Sequence, residues 1–418
     1  MILLRDISKL LTLQGAAQKQ ARSIQDQDLS ISPNQAILVD KNRIVWLGDL
    51  KKLPKDLKKK IKKEISLKNK TVMPSLVECH THTVFAGSRS DEFEMRNQGV
   101  SYQEIAARGG GILSTQRALD KISEKLLLQQ TQGRVNRFIQ QGVSVVEIKS
   151  GYGLDLKNEI KSLNVLKKIK NAKIIATFLG AHAIPKIYKN EQEYLDFLQT
   201  KVLPLVKKKK LAERVDIFIE KGFFSKEVAR KYLSYCQDQG FKTVIHADQL
   251  SLSGGTTLAC ELNSLSADHV IQLSEVEIKQ VADSEVTCVL LPLADLYMKC
   301  AYPPAKKLIE AGARVALSSD FNPGSCPSQD VMMVGLLARL EMKMSLAQVI
   351  CSYTLGPSFA LNLQNDFGSI EVGKAANFSI LSGEYTDLFY SSTANPITER
   401  FYNSKLEKLN SAVFLHNL

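Results

Sequence analysis

Eight short β-branched runs, separated by longer stretches of helical periodicity, fill the middle of the chain and leave few architectures open. They cover residues 72–77, 143–148, 173–179, 215–220, 242–246, 264–269, 287–291 and 314–319. A strand, a helix and another strand bring the chain back in the same direction, so the alternation predicts a parallel sheet covered by helices. Eight such units suit a TIM-like (β/α)8 barrel, an α/β fold in which polar residues just past the strand ends gather on one face. Here those residues are His80, His82, Lys149, Tyr152, His182, Glu220, His246, His269 and Asp320. Five of the six histidines therefore fall where a barrel builds its site.

The flanks read differently. Residues 36–48 form two β-rich runs around the turn-forming Asp40-Lys41-Asn42, which predicts a hairpin. A lysine-rich segment broken by Pro54 follows, expected as a solvated connection or short helix. Residues 367–381 resume a strand-and-turn pattern. The expected organisation is a barrel over residues 73–362 and a smaller β-rich domain whose N- and C-terminal parts are residues 1–72 and 363–418.

Lysine and arginine number 55 against 43 aspartates and glutamates, a formal charge of +12. Such an excess can signal nucleic acid or an anionic membrane. Much of it sits in runs at residues 51–63 and 207–210, with almost none of the aromatic and arginine interleaving that stacks on bases or grips phosphates. A solvated face is expected, with no nucleic-acid or membrane partner. The seven cysteines are odd in number, scattered and without a C-x-x-C pair, against a disulfide frame or a cysteine zinc site. Arg5, Asp6 and Lys9 interrupt the apolar N-terminus, and no stretch reaches about 18 apolar residues, so a cytoplasmic protein without a membrane span is predicted.

His80-Thr81-His82 ends the first run. In a strand, residues two apart face the same side, so both imidazoles can reach one metal ion. Alone, the pair is equally consistent with two structural histidines. His246 after the fifth run and Asp320 after the eighth complete three nitrogen donors and a carboxylate, a set that suits zinc or iron(II). A position left to water would make such a site catalytic, because the metal lowers the pKa of that water toward about 7. Cys79, by strand alternation, should turn away from the histidines and pack. The Gly109-Gly110-Gly111 run lacks the residues of a P-loop or dinucleotide site and reads as a mobile loop near the substrate.

The chain resembles the amidohydrolase superfamily and, within it, the imidazolonepropionases. The resemblance runs over essentially the whole chain. It is carried by PSLVECHTHTVFAGSRSDEFEMR (residues 74–96), GGGILST (109–115), VEIKSGYGL (146–154), FLGAHAIP (178–185), HADQLS (246–251), LSADH (265–269) and SSDFNPGS (318–325). The HxH pair and the lone Asp imply metal-assisted hydrolysis. GSR-x-DEFE, KSGYG and DFNPG together imply the substrate, 4-imidazolone-5-propanoate, whose ring is opened to N-formimidoyl-L-glutamate in histidine degradation.

The resemblance further implies one divalent metal per subunit, zinc or iron, on His80, His82, His246 and Asp320. Asp320 doubles as the proton acceptor and donor, with His182 and His269 as candidates to stabilise the oxyanion and His269 alternatively as an orienter. Arg89 is the implied clamp for the propanoate. Tyr152, His182, Gln249, Asn322, Gly324 and Ser325 complete the substrate contacts, although Asn-Pro-Gly is equally good turn chemistry. Relatives that deaminate heterocycles place Glu where this chain has Gln249, which cannot titrate. An aminohydrolase of a related heterocycle is the rival enzyme, against which Gln249 and Arg89 argue, and a basic nucleic-acid-binding barrel the rival outside enzymes. Glu220 or Lys149 could be drafted into a second metal site, and a homodimer is the expected assembly.

Overall fold

The computed structural model describes residues 1–100, 104–105 and 109–409. The described strands make two sheets. One is a run of eight parallel strands in chain order: β6 (Leu76–Glu78), β7 (Val143–Lys149), β8 (Lys173–Ala181), β9 (Arg214–Ile219), β10 (Lys242–Ala247), β11 (Ser266–His269), β12 (Thr287–Leu290) and β13 (Arg314–Leu317). Helices cover its outside, so β7, β9, β11, β12 and β13 are buried at every residue. Near-continuous apolar runs are what strands buried on both faces require.

The barrel closes where its first and last strands end. The Asp320 N–H donates to the His80 carbonyl at 3.1 Å, and the His82 N–H donates to the Phe321 carbonyl at 2.9 Å. The same residues that carry the candidate ligands thus stitch the seam. Helix Leu355–Ala360 packs behind it, where Gly356 sits so near the Val315 carbonyl that a Cβ would stand 2.2 Å from that oxygen. Only glycine permits this approach.

The second sheet takes strands from both flanks: β1 (Ile2–Leu11), β2 (Ile31–Asp40), β3 (Arg43–Gly48), β4 (Lys63–Ser66), β5 (Thr71–Pro74), β14 (Phe378–Leu381), β15 (Ile397–Tyr402) and β16 (Lys405–Lys408). The expected hairpin is β2 and β3. Asp40 pairs with Arg43, and Lys41 and Asn42 adopt φ of 46° and 65°. Two consecutive left-handed residues make the turn whose twist matches a hairpin. The lysine runs at residues 51–52 and 207–210 are exposed.

One predicted strand is really two. Residues 72–77 read as a single run, but the chain changes sheets at Ser75: β5 pairs with β14 and β1, whereas Leu76 donates to the Gly142 carbonyl and begins the barrel. Pro74, lacking an N–H, is a natural break. Strands β1, β4, β15 and β16 were not singled out from the sequence. Among the described residues, no helix is long and apolar enough to cross a membrane.

Candidate metal centre and active site

The barrel's parallel strands all end at one mouth, which brings together residues far apart in the chain. One ring nitrogen from each of His80, His82 and His246 lies within 4.8 Å of the others. Asp320 Oδ1 stands 3.4 Å from His80 Nε2 and 3.5 Å from His82 Nε2. Ligands held at about 2.0–2.1 Å around a tetrahedral zinc are roughly 3.4 Å apart. His80 Nε2, His246 Nε2 and Asp320 Oδ1 are buried without a hydrogen-bond partner among the described residues. Buried polar atoms left so cost about 1–3 kcal/mol each, and a shared cation would relieve all three. The residues fit a divalent metal. Asp320 also holds a left-handed backbone, φ 53°, as does His269 at 79°, strain of the kind functional sites retain.

Beneath the ligands lies a layer the sequence reading missed. His80 Nδ1 is 2.7 Å from Asp268 Oδ2, and His246 Nδ1 is 3.0 Å from Asp216 Oδ2. Each carboxylate accepts the Nδ1 proton, which leaves Nε2 as a lone pair aimed at the centre. Lys149 Nζ joins the two, 2.8 Å from Asp216, 3.4 Å from Asp268 and 3.1 Å from Glu147. Burial alone would lower the Lys149 pKa, but Asp216, Glu147 and Asp268 hold it above its ordinary value. Asp216 likewise stays ionised: burial pushes it up, and His246 and Lys149 pull it well below the usual carboxylate range. A signal for these acids was visible, since Asp216 and Asp268 interrupt apolar strand runs.

Burial also sets the protonation of the mouth. His80, His82 and His269 are pushed well below an ordinary imidazole pKa, first by desolvation and then by neighbouring charge from Lys149, His182 and His246 respectively. His182 is lowered to about 3, again by burial first. Neutral imidazoles are what metal binding needs. Asp320 is raised to about 7 by burial, against the opposing effects of His246 and Asn322.

Above the ligands opens a cavity of about 690 Å³ lined by His82, Arg89, Tyr152, His182, His246, Gln249, His269, Asp320, Asn322, Gly324 and Ser325. Every residue proposed from sequence for substrate contact therefore reaches it. His80 lies beneath. Tyr152 packs 5.4 Å from the His182 ring, which stacks at 5.2 Å on His82. The turn presenting Tyr152 is fixed by Glu159, whose Oε1 accepts the N–H groups of Gly151, Gly153 and Leu154 at 3.2, 2.8 and 3.1 Å.

Several roles differ from expectation. His182 Nδ1 lies 3.0 Å from the Gly151 carbonyl. A carbonyl can only accept, so the neutral ring keeps its proton on Nδ1 and offers Nε2 as an acceptor, which an oxyanion does not want. Asp268, rather than His269, orients a ligand. The Asn322 amide is occupied by its own turn: Oδ1 accepts from Gly324, Ser325 and Cys326, and Nδ2 donates to the Asp320 carbonyl and Ser325 Oγ. Glu220 accepts the N–H groups of Leu250 at 2.8 Å and Ser251 at 3.2 Å, bracing the loop that follows Gln249. With Lys149 held among carboxylates, neither residue belongs to the ligand cluster. Cys79 is buried, its Sγ 4.0 Å from the Leu317 carbonyl. The glycine run precedes helix Ile112–Lys121, and Ile112 lines the cavity.

Residues 71–412 match the Amidohydrolase family. The chain is 56% identical over 391 residues to an imidazolonepropionase of Bdellovibrio bacteriovorus, covering 93% of this chain and 92% of that one. It is 37% identical over 411 residues to an imidazolonepropionase of Christiangramia forsetii, covering 97% and 99%. Among solved structures, a triazine hydrolase from Arthrobacter aurescens superposes with a TM-score of 0.74 at 15% identity, over 98% of this chain and 95% of that one. Guanine deaminase of E. coli gives 0.71 at 12% identity, over 98% and 100%. At such identities the likeness is one of fold.

Proposed function

The chain belongs to the amidohydrolase family and, within it, to the imidazolonepropionases, and from that premise we propose how its barrel mouth opens the ring of 4-imidazolone-5-propanoate to N-formimidoyl-L-glutamate. The chain is a hydrolase of a cyclic amide. The observation that carries the assignment of residues is the convergence of three imidazoles and Asp320 at the floor of a cavity lined by Arg89.

His80, His82, His246 and Asp320 would hold a single zinc or iron per subunit. Such an ion, when bound, activates a water and polarises the ring carbonyl. Asp268 and Asp216 keep the Nδ1 protons of His80 and His246 in place, so the opposite nitrogens stay available. Asp320 accepts the proton of the attacking water and passes it to the ring nitrogen that departs. One oxygen is thus added at the carbonyl carbon, the bond to the adjacent ring nitrogen breaks, and that nitrogen gains a proton. His182 Nε2 accepts a ring N–H. His269, neutral, donates to the carbonyl oxygen as charge develops there. Gln249 cannot titrate and serves as a hydrogen-bond partner of the ring amide, which argues against the ammonia-releasing alternative.

Arg89 pairs with the propanoate, and its charge reaches His182, where it helps depress the imidazole pKa. Tyr152 packs against the ring, and Gly324 and Ser325 close the tail side. The barrel that begins after the change of sheet at Ser75 makes up the hydrolase domain, and β1–β5 with β14–β16 its β-rich companion, in a cytoplasmic enzyme.

The test is turnover of imidazolonepropanoate, followed by loss of its ultraviolet absorbance, alongside elemental analysis of the purified chain. One equivalent of zinc or iron and turnover without ammonia are expected, and Asp320→Asn should abolish turnover while the fold survives. Ammonia released at the turnover rate, or full activity in the variant, would sink the reading.

A further inference from the structure

We propose that Glu78 is a positioning residue of the metal centre, which fixes Asp320 against His80 across the seam of the barrel. This rests on the ring-opening reading above, in which Asp320 is a metal ligand and carries the proton. His80 and Asp320 follow the first and last barrel strands. These two strands share no ladder, since the hydrogen-bonded order of the sheet has β13 at one end and β6 at the other. Strand pairing therefore does not set the 3.4 Å between His80 Nε2 and Asp320 Oδ1.

Glu78, the last residue of β6, is fully buried. Its carboxylate reaches a partner 240 residues away in the chain: Oε2 accepts from Ser318 Oγ at 2.7 Å, the Ser319 N–H at 3.1 Å and Ser319 Oγ at 2.9 Å. The Tyr353 hydroxyl donates to the other oxygen, Oε1, at 3.3 Å. Ser318 Oγ in turn accepts the Cys79 and His80 N–H groups at 3.1 and 2.9 Å. The backbone up to His80 on one side of the seam, and up to Ser319 on the other, is thereby tied to one carboxylate.

The network supports a strained residue. Asp320 holds φ 53°, in the left-handed region that residues with a Cβ avoid. Ser319, immediately before it, gives both its N–H and its hydroxyl proton to Glu78, and its Oγ accepts the Phe321 N–H at 3.2 Å. The residues on both sides of Asp320 are thus pinned, with its carboxylate toward His80 and His82. Without the Glu78 acceptor, Asp320 is free to relax to a negative φ, which swings the carboxylate away from the histidines. The Ser319 N–H and hydroxyl would also lose their buried partner.

The experiment compares the metal-loaded full chain with Glu78→Leu, which keeps the bulk and removes the acceptors, and Glu78→Gln, whose amide oxygen still accepts from Ser319. Glu78→Leu should weaken metal binding about 10- to 100-fold in competition with a chromophoric chelator. With metal saturating, it should lower kcat on imidazolonepropanoate about 10- to 100-fold and leave KM within about threefold, because the tail side of the cavity is untouched. Glu78→Gln should recover most of both losses. Lower stability with kcat and metal affinity per folded molecule at parental values would make Glu78 structural only and overturn the proposal. Equal losses in the Leu and Gln variants would overturn it too. If Glu78→Leu fails to fold, Ser319→Ala, which cuts the link next to Asp320, is judged by the same two measurements. A parent chain that binds metal but leaves imidazolonepropanoate intact sinks the ring-opening reading, while metal affinity still decides the role of Glu78.

Discussion

Substituting Gly324 by alanine should damage substrate capture without touching the metal centre, because the atoms nearest the added methyl belong to the end of Arg89. The new Cβ would stand 2.0 Å from Arg89 Nη1 and 2.4 Å from its Cζ. Non-bonded heavy atoms settle at about 3.5 Å or more, so the guanidinium must retreat by about 1.5 Å. Gly324 is not among the residues with positive φ, so alanine brings no backbone strain, and the obstructing group is flexible. Stability should change by less than about 1 kcal/mol. Function should not be so tolerant: a displaced hydrogen bond to a charged group is worth about 1.5–3 kcal/mol, or about 10- to 150-fold in kcat/KM. The loss should fall mainly on KM, since Asp320 and the histidines sit at the other end of the substrate. Steady-state kinetics on imidazolonepropanoate, with thermal unfolding and metal content in parallel, would measure it. Because the effect runs through Arg89, Gly324→Ala should add little to Arg89→Met in a double-mutant cycle. A KM within about twofold of the parent's, with Arg89→Met raising it strongly, would refute the reasoning.

Asp268→Asn exchanges the carboxylate behind His80 for an amide and is expected to weaken metal binding about 10- to 100-fold in competition with a chromophoric chelator; unchanged affinity would remove its orienting role. Lys149→Met leaves Glu147, Asp216 and Asp268 buried without their counter-charge, and chemical unfolding should register a loss of about 3–5 kcal/mol. A variant as stable as the parent would contradict the buried ion pairs. The His182 pKa in the folded chain, about 3, lies below the unfolded value near 6.5, so the unfolded chain binds the extra proton between these limits. Its contribution is complete above about pH 6.5 and lost as pH falls toward 3. Metal-free parent protein should therefore lose about 1.4 kcal/mol per pH unit relative to His182→Gln between about pH 6 and 4. A pH-independent difference in their unfolding free energies would show that His182 is not held neutral by burial.

Much of the site was legible because barrel topology converts sequence position into place. A residue just past a strand end must lie at the mouth, so His82, His182, His246, His269 and Asp320 could be grouped without coordinates. The outer layer resisted. Asp268 serves His80 across 188 residues of chain, and nothing local marks which carboxylate will meet which imidazole.

Strand periodicity and the histidines at strand ends thus determined, by themselves, an α/β barrel with a metal-binding mouth, because backbone alternation and βα connectivity are local rules. Only the folded chain decided what each polar atom has left to give. Glu220 is consumed by the N–H groups of Leu250 and Ser251, Asn322 by its own turn, and His182 Nδ1 by the Gly151 carbonyl. His80 Nε2 and Asp320 Oδ1 stay unclaimed. A hydrogen bond formed within the protein removes a donor or acceptor from chemistry, and that accounting exists only once neighbours distant in sequence are in contact.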